Sequence, residues 1–224
     1  MRVVRRRVSN RRRRGELRMG LRRHVRAALL GVDRRLGLRE WLARDGAAAD
    51  YYTSAPELLP HPRPNTVIDV GGNTGQFAGR ILRAHPGVRV YSFEPVPECY
   101  ERLLLLRERE PSLRPFRLAL SDREGEAEFH VSRYSASSSL QAMLPAHVEA
   151  WPFTEIGSKI KVRVARLDTV AGGLELVPPV LLKLDVQGHE LAVIRGGRET
   201  LSRCQRAVVE CNFAPLYAGQ PSFT

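Results

Sequence analysis

The chain has 224 residues, 43% of them hydrophobic, which is enough for one good core and an appendage. No run approaches the roughly 18 apolar residues of a membrane span, and the early apolar run 27–32 is shorter than the about 7–15 residues of a secretory core. The net charge of +12 is lopsided: residues 1–50 carry 16 Arg against five acids, whereas the remainder is close to neutral, which argues against a phosphate-tracking nucleic-acid groove in the main body.

Residues 1–15, with Arg5 to Arg7 and Arg11 to Arg14, form a like-charge block expected to be disordered in isolation. From Glu16 to about Arg44, Leu17, Leu21, Val25, Leu29, Val32 and Leu36 recur at helical spacing among arginines. Such a stripe either docks on the main domain or contacts a membrane surface, another acidic surface or nucleic acid. Pro56, Pro60, Pro62 and Pro64 stop helices and mark a linker, so the main domain is expected over 65–224. Cys99, Cys204 and Cys211 have neither zinc spacing nor an even count, and read as free thiols of a reducing, cytoplasmic compartment.

Within the main domain strands and helices alternate. Strands are predicted over 67–70, 88–93, 114–120, 180–184 and 207–209, and helices from the glycine turn to about 84, over 97–110 and over 190–201. An insertion, 123–166, holds alternating stretches at 126–132 and 159–165 around the loop 135–139. Val180–Leu184 is continuously apolar apart from Lys183, as a strand buried on both faces requires. The pattern predicts an open, mostly parallel α/β sheet with helices on both faces. The insertion, with Tyr134 and its serine run, reads as a lid over an acceptor or as a solvated hairpin.

Ligands of such sheets bind beyond the carboxyl ends of the strands. The first of these ends is Val-Ile-Asp-Val-Gly-Gly-Asn-Thr-Gly (67–75), a strand followed by a turn through Gly71, Asn73 and Gly75. The spacing is D-x-G-x-x-x-G and admits no G-x-G-x-x-G register, which disfavours a dinucleotide pyrophosphate. The acid Asp69 suits a ligand with a cationic end, and S-adenosylmethionine, with its ammonium and sulfonium groups, is such a ligand. Glu94 ends the second strand, where an acid can accept hydrogen bonds from ribose hydroxyls, and Ser121-Asp122 follows the third, in reach of an adenine amino group. Asp185 and Glu210 end the last two strands. Any one of these could be a solvated loop carboxylate; the complete set favours a site. Lys183, in a buried strand, needs a carboxylate partner. Gln187-Gly188 makes a turn, and His189-Glu190 opens a helix, where an acid also complements the dipole.

Taken in order, residues 67–77, Phe-Glu-Pro-Val-Pro (93–97), Ala-Leu-Ser-Asp (119–122), Leu-Asp-Thr (167–169), Lys-Leu-Asp-Val-Gln-Gly-His-Glu-Leu (183–191) and Arg-Gly-Gly (195–197) resemble the FkbM family of S-adenosylmethionine-dependent methyltransferases. The resemblance runs from about residue 65 to 223. It implies a Rossmann-like class I methyltransferase sheet and O-methylation of a sugar, glycan or natural-product hydroxyl. It also implies cofactor contacts from Gly71, Asn73, Gly75 and Glu94, with Asp122 less directly, and a signature loop from Asp185 to Glu190 near the acceptor. Position 72 commonly carries alanine in that family, so Gly72 is expected only to loosen the turn. The antiparallel strand pair that usually closes such sheets has no room in residues 218–224, so either the sequence is a fragment or 207–209 is an exposed edge unless something covers it.

A hydroxyl acceptor needs a base to remove its proton. The candidates, in order, are Asp185, His189, Glu190 and Glu210; an alternative has Asp185 with Glu190 or Glu210 holding a divalent cation, although no metal is assigned. A reading of a different class makes the chain an inactive cofactor-binding module whose arginine tail docks on nucleic acid or an acidic surface.

Overall fold

The structure is a computed structural model that describes residues 63–221; the arginine tail and the basic helical stretch lie outside the described residues. The run of β-branched residues forms β1 (Thr66–Val70), buried along its whole length. It lies between β2 (Arg89–Phe93) and β7 (Val180–Leu184), both parallel to it. With β3 (Leu113–Phe116) beyond β2 and β8 (Arg206–Val209) beyond β7, the main sheet is a five-stranded parallel one of order β3-β2-β1-β7-β8.

Alternation along these strands sorts the core into two layers. Val67, Val90, Leu113 and Leu181 pack with Phe77, Ala78, Ile81 and Leu82 of α1 (Gln76–Ala84) and Leu103 of α2 (Pro97–Arg109). Ile68, Val70, Tyr91, Phe93, Leu182 and Leu184 face the other way, onto Leu167 and Ala171 of α4 (Leu167–Ala171) and Val193 of α5 (Glu190–Gly196). Pro97 opens α2 where its missing N–H costs nothing, and Glu98 near the start with Arg107 and Arg109 near the end complements the helix dipole.

The sheet and helix positions follow the sequence reading, apart from α4, which was not expected, and the differences that follow. The single strand expected over 114–120 is divided into β3 and β4 (Ala119–Ser121), because the ladder with β2 ends at Phe116, where the Leu118 amide folds back onto the Phe116 carbonyl at 3.0 Å, and β4 joins another sheet. That sheet, of order β4-β6-β5, is built by the insertion: β5 (Gly125–Ser132) and β6 (Ile156–Arg166) pair antiparallel, and β6 runs parallel to β4. Between them lies α3 (Pro145–Ala150), too short for periodicity to reveal. The helix expected over 190–201 is divided at Gly197 into α5 and α6 (Arg198–Ser202). Finally, β8, whose apolar residues 207–209 would suit a buried strand, is the edge of the sheet among the described residues: Arg206 and Ala207 are exposed and Val208 and Val209 half-buried.

Candidate active site

The strand register lines three polar residues in one row. Asp69 of β1 is paired with Ser92 of β2 on one side and Lys183 of β7 on the other. All three point into the α1–α2 layer and all are buried. Ser92 Oγ donates to Asp69 Oδ2 at 2.8 Å, and Lys183 Nζ lies 3.2 Å from Asp69 Oδ1, so both carboxylate oxygens are engaged. The buried lysine thus has the carboxylate partner its position demanded. Burial works against its charge, yet Asp69 and Asp185 outweigh burial and hold its pKa above the ordinary lysine value. Lys183 also donates to the carbonyl oxygen of Gly71 at 2.6 Å, which ties the ion pair to the glycine turn.

The turn itself is closed by its own neighbourhood. The amides of Gly71 and Gly72 both donate to the Phe93 carbonyl, that of Gly75 to the Gly72 carbonyl, and that of Asn73 to Glu94 Oε2 at 2.8 Å. These four N–H groups are therefore spent inside the fold, and a phosphate would find none of them free. Gly71 adopts φ 80°, and a side chain there would run into the Asp185 carbonyl oxygen; glycine is what lets the turn lie directly against the loop after β7.

Glu94 lies against this turn, 6% exposed, with Oε1 accepting from the Val96 amide at 2.9 Å and Oε2 from Asn73. Burial raises its pKa to about 7, against the pull of the two amides. Asn73, itself left-handed at φ 44°, presents Oδ1 to Ser135 Oγ at 2.9 Å and to Cys99 Sγ at 3.2 Å. The insertion therefore reaches the glycine turn through Ser135.

The loop after β7 is also tied down from several sides. Glu190 Oε1 accepts from the amides of Val186 at 2.9 Å and Gly188 at 3.3 Å, stapling the loop to the first turn of α5; burial raises its pKa. His189 has both ring nitrogens occupied, Nδ1 by Gln141 Nε2 at 2.9 Å and Nε2 by Ser121 Oγ at 3.0 Å. The glutamine nitrogen is a donor, so Nδ1 accepts and Nε2 carries the proton; burial lowers the histidine's pKa, in keeping with a neutral ring. Ser121 Oγ lies 3.3 Å from Asp122 Oδ1, and Asp122 is exposed. Asp185 is half-buried: Oδ1 accepts from Gln187 Nε2 at 2.7 Å and Oδ2 lies 3.7 Å from Lys183 Nζ. The same glutamine nitrogen lies 2.6 Å from Glu210 Oε2. Burial first, and the Asp185 charge next, push the Glu210 carboxyl well above the ordinary carboxylate value.

Three clusters result. Asp69, Gly71, Asn73, Gly75 and Glu94 gather around the glycine turn, and Asp185, Glu190 and Glu210 around the loop after β7, with Lys183 joining them. Ser121, Asp122 and His189 form a third group reached from the insertion through Gln141. Among the described residues no group of three or more His, Cys, Asp and Glu side chains is arranged to hold a metal ion. Sequence reasoning passed over Ser92, Gln141 and Tyr217. Ser92 could have been found from the register, since the alternation that buries Val90 also points Ser92 at Asp69. Tyr217 carries no local signal: the segment around it returns to the insertion, with Leu144 N bonded to the Leu216 carbonyl and Met143 bridged to Tyr217.

A parallel sheet with this strand order, helices on both faces and an acid beside the glycine turn defines a Rossmann-like methyltransferase fold. The chain belongs to the FkbM methyltransferase family: the model of the methyltransferase FkbM domain matches residues 69–224. It is 29% identical over 200 residues to the 2-O-methyltransferase NoeI of Sinorhizobium fredii, spanning 86% of this chain and 82% of that one. Over 155 residues it is 30% identical to the hexuronic acid methyltransferase AglP of Haloferax volcanii, 68% of this chain and 59% of that one. The methyltransferase sdnD of Sordaria araneosa is 27% identical over 174 residues, 66% of each chain. No solved structure matches. Among the described residues no helix is long and apolar enough to cross a membrane.

Proposed function

We propose that the protein is an S-adenosylmethionine-dependent O-methyltransferase acting on a hydroxyl of a sugar, glycan or natural product. The observation that carries this reading is the carboxylate-rich mouth of the sheet, with Glu94 hydrogen-bonded to the glycine turn whose amides are already spent. Such a cradle suits a cationic, ribose-bearing ligand and offers little to a pyrophosphate. Glu94 would hold the ribose hydroxyls, and Gly71, Asn73 and Gly75 would line the approach. Asp69 would act from behind, through Lys183 and the Gly71 carbonyl. Ser121 and Asp122 would stand by the adenine. The name of the Sinorhizobium relative, a 2-O-methyltransferase, supports transfer to oxygen, and that of the Haloferax relative, a hexuronic acid methyltransferase, supports a sugar acid as the kind of acceptor.

Bound S-adenosylmethionine supplies an already activated methyl group, which leaves the chain to align the acceptor, exclude water and take up a proton. Of the candidate bases, Asp185 is the best placed. Glu190 is spent on two amides, both nitrogens of His189 are engaged, and burial favours the neutral form of Glu210. Asp185 keeps a side chain 25% exposed beside the lysine and the glutamine. Calorimetry with S-adenosylmethionine on the wild type and on Glu94→Ala and Glu94→Gln tests the reading. Wild-type binding that weakens at least about tenfold in both variants, each still folded by circular dichroism, is expected. No wild-type binding, or equal binding by the variants, overturns it.

A further inference from the structure

Gln187 adopts φ 56°, which few non-glycine residues do, and its side chain shows what the conformation serves. The amide nitrogen has two protons and two carboxyl partners, Asp185 Oδ1 at 2.7 Å and Glu210 Oε2 at 2.6 Å. The amide oxygen lies 2.9 Å from the Tyr217 hydroxyl, whose single proton is shared with the Ser137 carbonyl at 3.0 Å. With Asp185 Oδ1 and Glu210 Oε2 both on the nitrogen side, the amide nitrogen faces the acids, and the hydroxyl of Tyr217 meets the lone pairs of the amide oxygen. Tyr217 cannot easily drift. It is fully buried, its ring meets His147 edge-on at 5.2 Å, and it lies so close over Gly188 that a Cβ there would be 2.8 Å from its own Cβ.

We propose that Gln187, locked by the Tyr217 hydroxyl, is the positioning residue of this site, drawing the carboxyl groups that follow β7 and β8 onto one amide and fixing Asp185 for proton removal. The inference rests on the reading of Asp185 as base. It also gives the insertion and the C-terminal segment a shared purpose. Ser139 Oγ donates to the Gln187 carbonyl at 2.7 Å, Ser137 receives Tyr217, and Tyr217 bridges to Met143, so the loop bearing Gln187 is gripped from the insertion on both sides. The charged and titratable groups around the amide are Asp185, Glu190 and Lys183 from β7 and its loop, and Glu210, Cys211 and Tyr217 from the chain after β8.

The test uses the full chain labelled with ¹⁵N-glutamine, the Gln187 side-chain signal being assigned by its loss in Gln187→Met. The wild-type Gln187 NH₂ should exchange with water at least about tenfold more slowly than a free glutamine side chain, and Tyr217→Phe should accelerate it about tenfold. An unprotected wild-type amide overturns the bridge, and unchanged exchange in Tyr217→Phe overturns the lock. Neither measurement needs the cofactor, so both are independent of the calorimetry that tests the methyltransferase reading. In methyl transfer from S-adenosylmethionine to a panel of methyl glycosides, Gln187→Met and Tyr217→Phe should each lower kcat about tenfold, with acceptor KM and cofactor Kd within about twofold. A change confined to KM overturns the positioning role. Absence of wild-type binding to the cofactor overturns the reading of Asp185 as base, and the positioning role with it.

Discussion

Replacing Gly72 by alanine tests whether the Ser92–Asp69–Lys183 row dictates the glycine turn. A Cβ at this position would overlap Ser92 Oγ and come within 3.2 Å of Leu103 Cδ1. Ser92 can yield only by swinging its hydroxyl off Asp69 Oδ2, 2.8 Å away in a fully buried setting. Losing a hydrogen bond to a buried carboxylate costs about 1.5–3 kcal/mol, and crowding against Leu103 adds about 1 kcal/mol. The lower chain entropy of alanine in the unfolded state returns about 0.4–1 kcal/mol. The net loss is about 2–3 kcal/mol, or roughly 4–12 °C in Tm at about 2–4 °C per kcal/mol for a domain of this size. Urea unfolding of Gly72→Ala, Ser92→Ala and the double variant reads it out. Ser92→Ala forfeits the same hydrogen bond but removes the obstacle, because Leu103 Cδ1 and Asp69 Oδ2 are then the next atoms in the way, at 3.2 and 3.4 Å. The double variant should therefore be no less stable than Ser92→Ala, a coupling of about 2 kcal/mol. Additive losses, or a Gly72→Ala protein as stable as the wild type, would refute the reasoning and return Gly72 to a residue that merely loosens the turn.

Lys183→Met removes the cation that compensates Asp69 and leaves a carboxylate buried without its counter-charge, which costs about 3–5 kcal/mol; the Tm by circular dichroism should fall well beyond that of Gly72→Ala, and an equal or higher Tm would count against the ion pair. Gly188→Ala meets both φ 91° and the Tyr217 side chain, and should cost about 2 kcal/mol or more in urea unfolding, with Tyr217 fluorescence reporting the displaced ring. Glu94 gives a pH signature. Its folded pKa is raised to about 7 from 4.5, so the stability it contributes is fully present below about 4.5 and lost as pH rises through about 7, at most about 3 kcal/mol. The stability of Glu94→Gln relative to wild type should therefore climb between pH 5 and 8, and a difference that stays flat with pH would show that Glu94 is not held protonated by burial.

The fold was legible where one period dominated. β1, β2 and β7 announce themselves as β-branched or continuously apolar runs ending in an acid, and α1 and α2 as amphipathic stretches bounded by a glycine turn and a proline. Short elements were not legible: α3 and α4 span six and five residues, less than two turns, and no periodicity survives at that length. The break between β3 and β4 is encoded only in which sheet each half joins, a matter of tertiary pairing.

The site divides along the same line. The carboxylates were visible because each stands at the end of a readable strand. What each one does depends on partners the sequence does not juxtapose. Asp69 and Glu190 resemble their neighbours as motif residues, yet the register commits Asp69 to Ser92 and Lys183, and the loop commits Glu190 to two amides. On the proposed reading the four candidate bases narrow to Asp185, and the residue proposed to orient it, Gln187, was read only as half of a turn. A residue two places from a candidate base, held in a left-handed backbone, is where the motif bends to bring its side chain back onto its own acid. The physical signal was therefore the turn itself: Gly188 permits it, Tyr217 covers it, and together they aim the amide at Asp185 and Glu210.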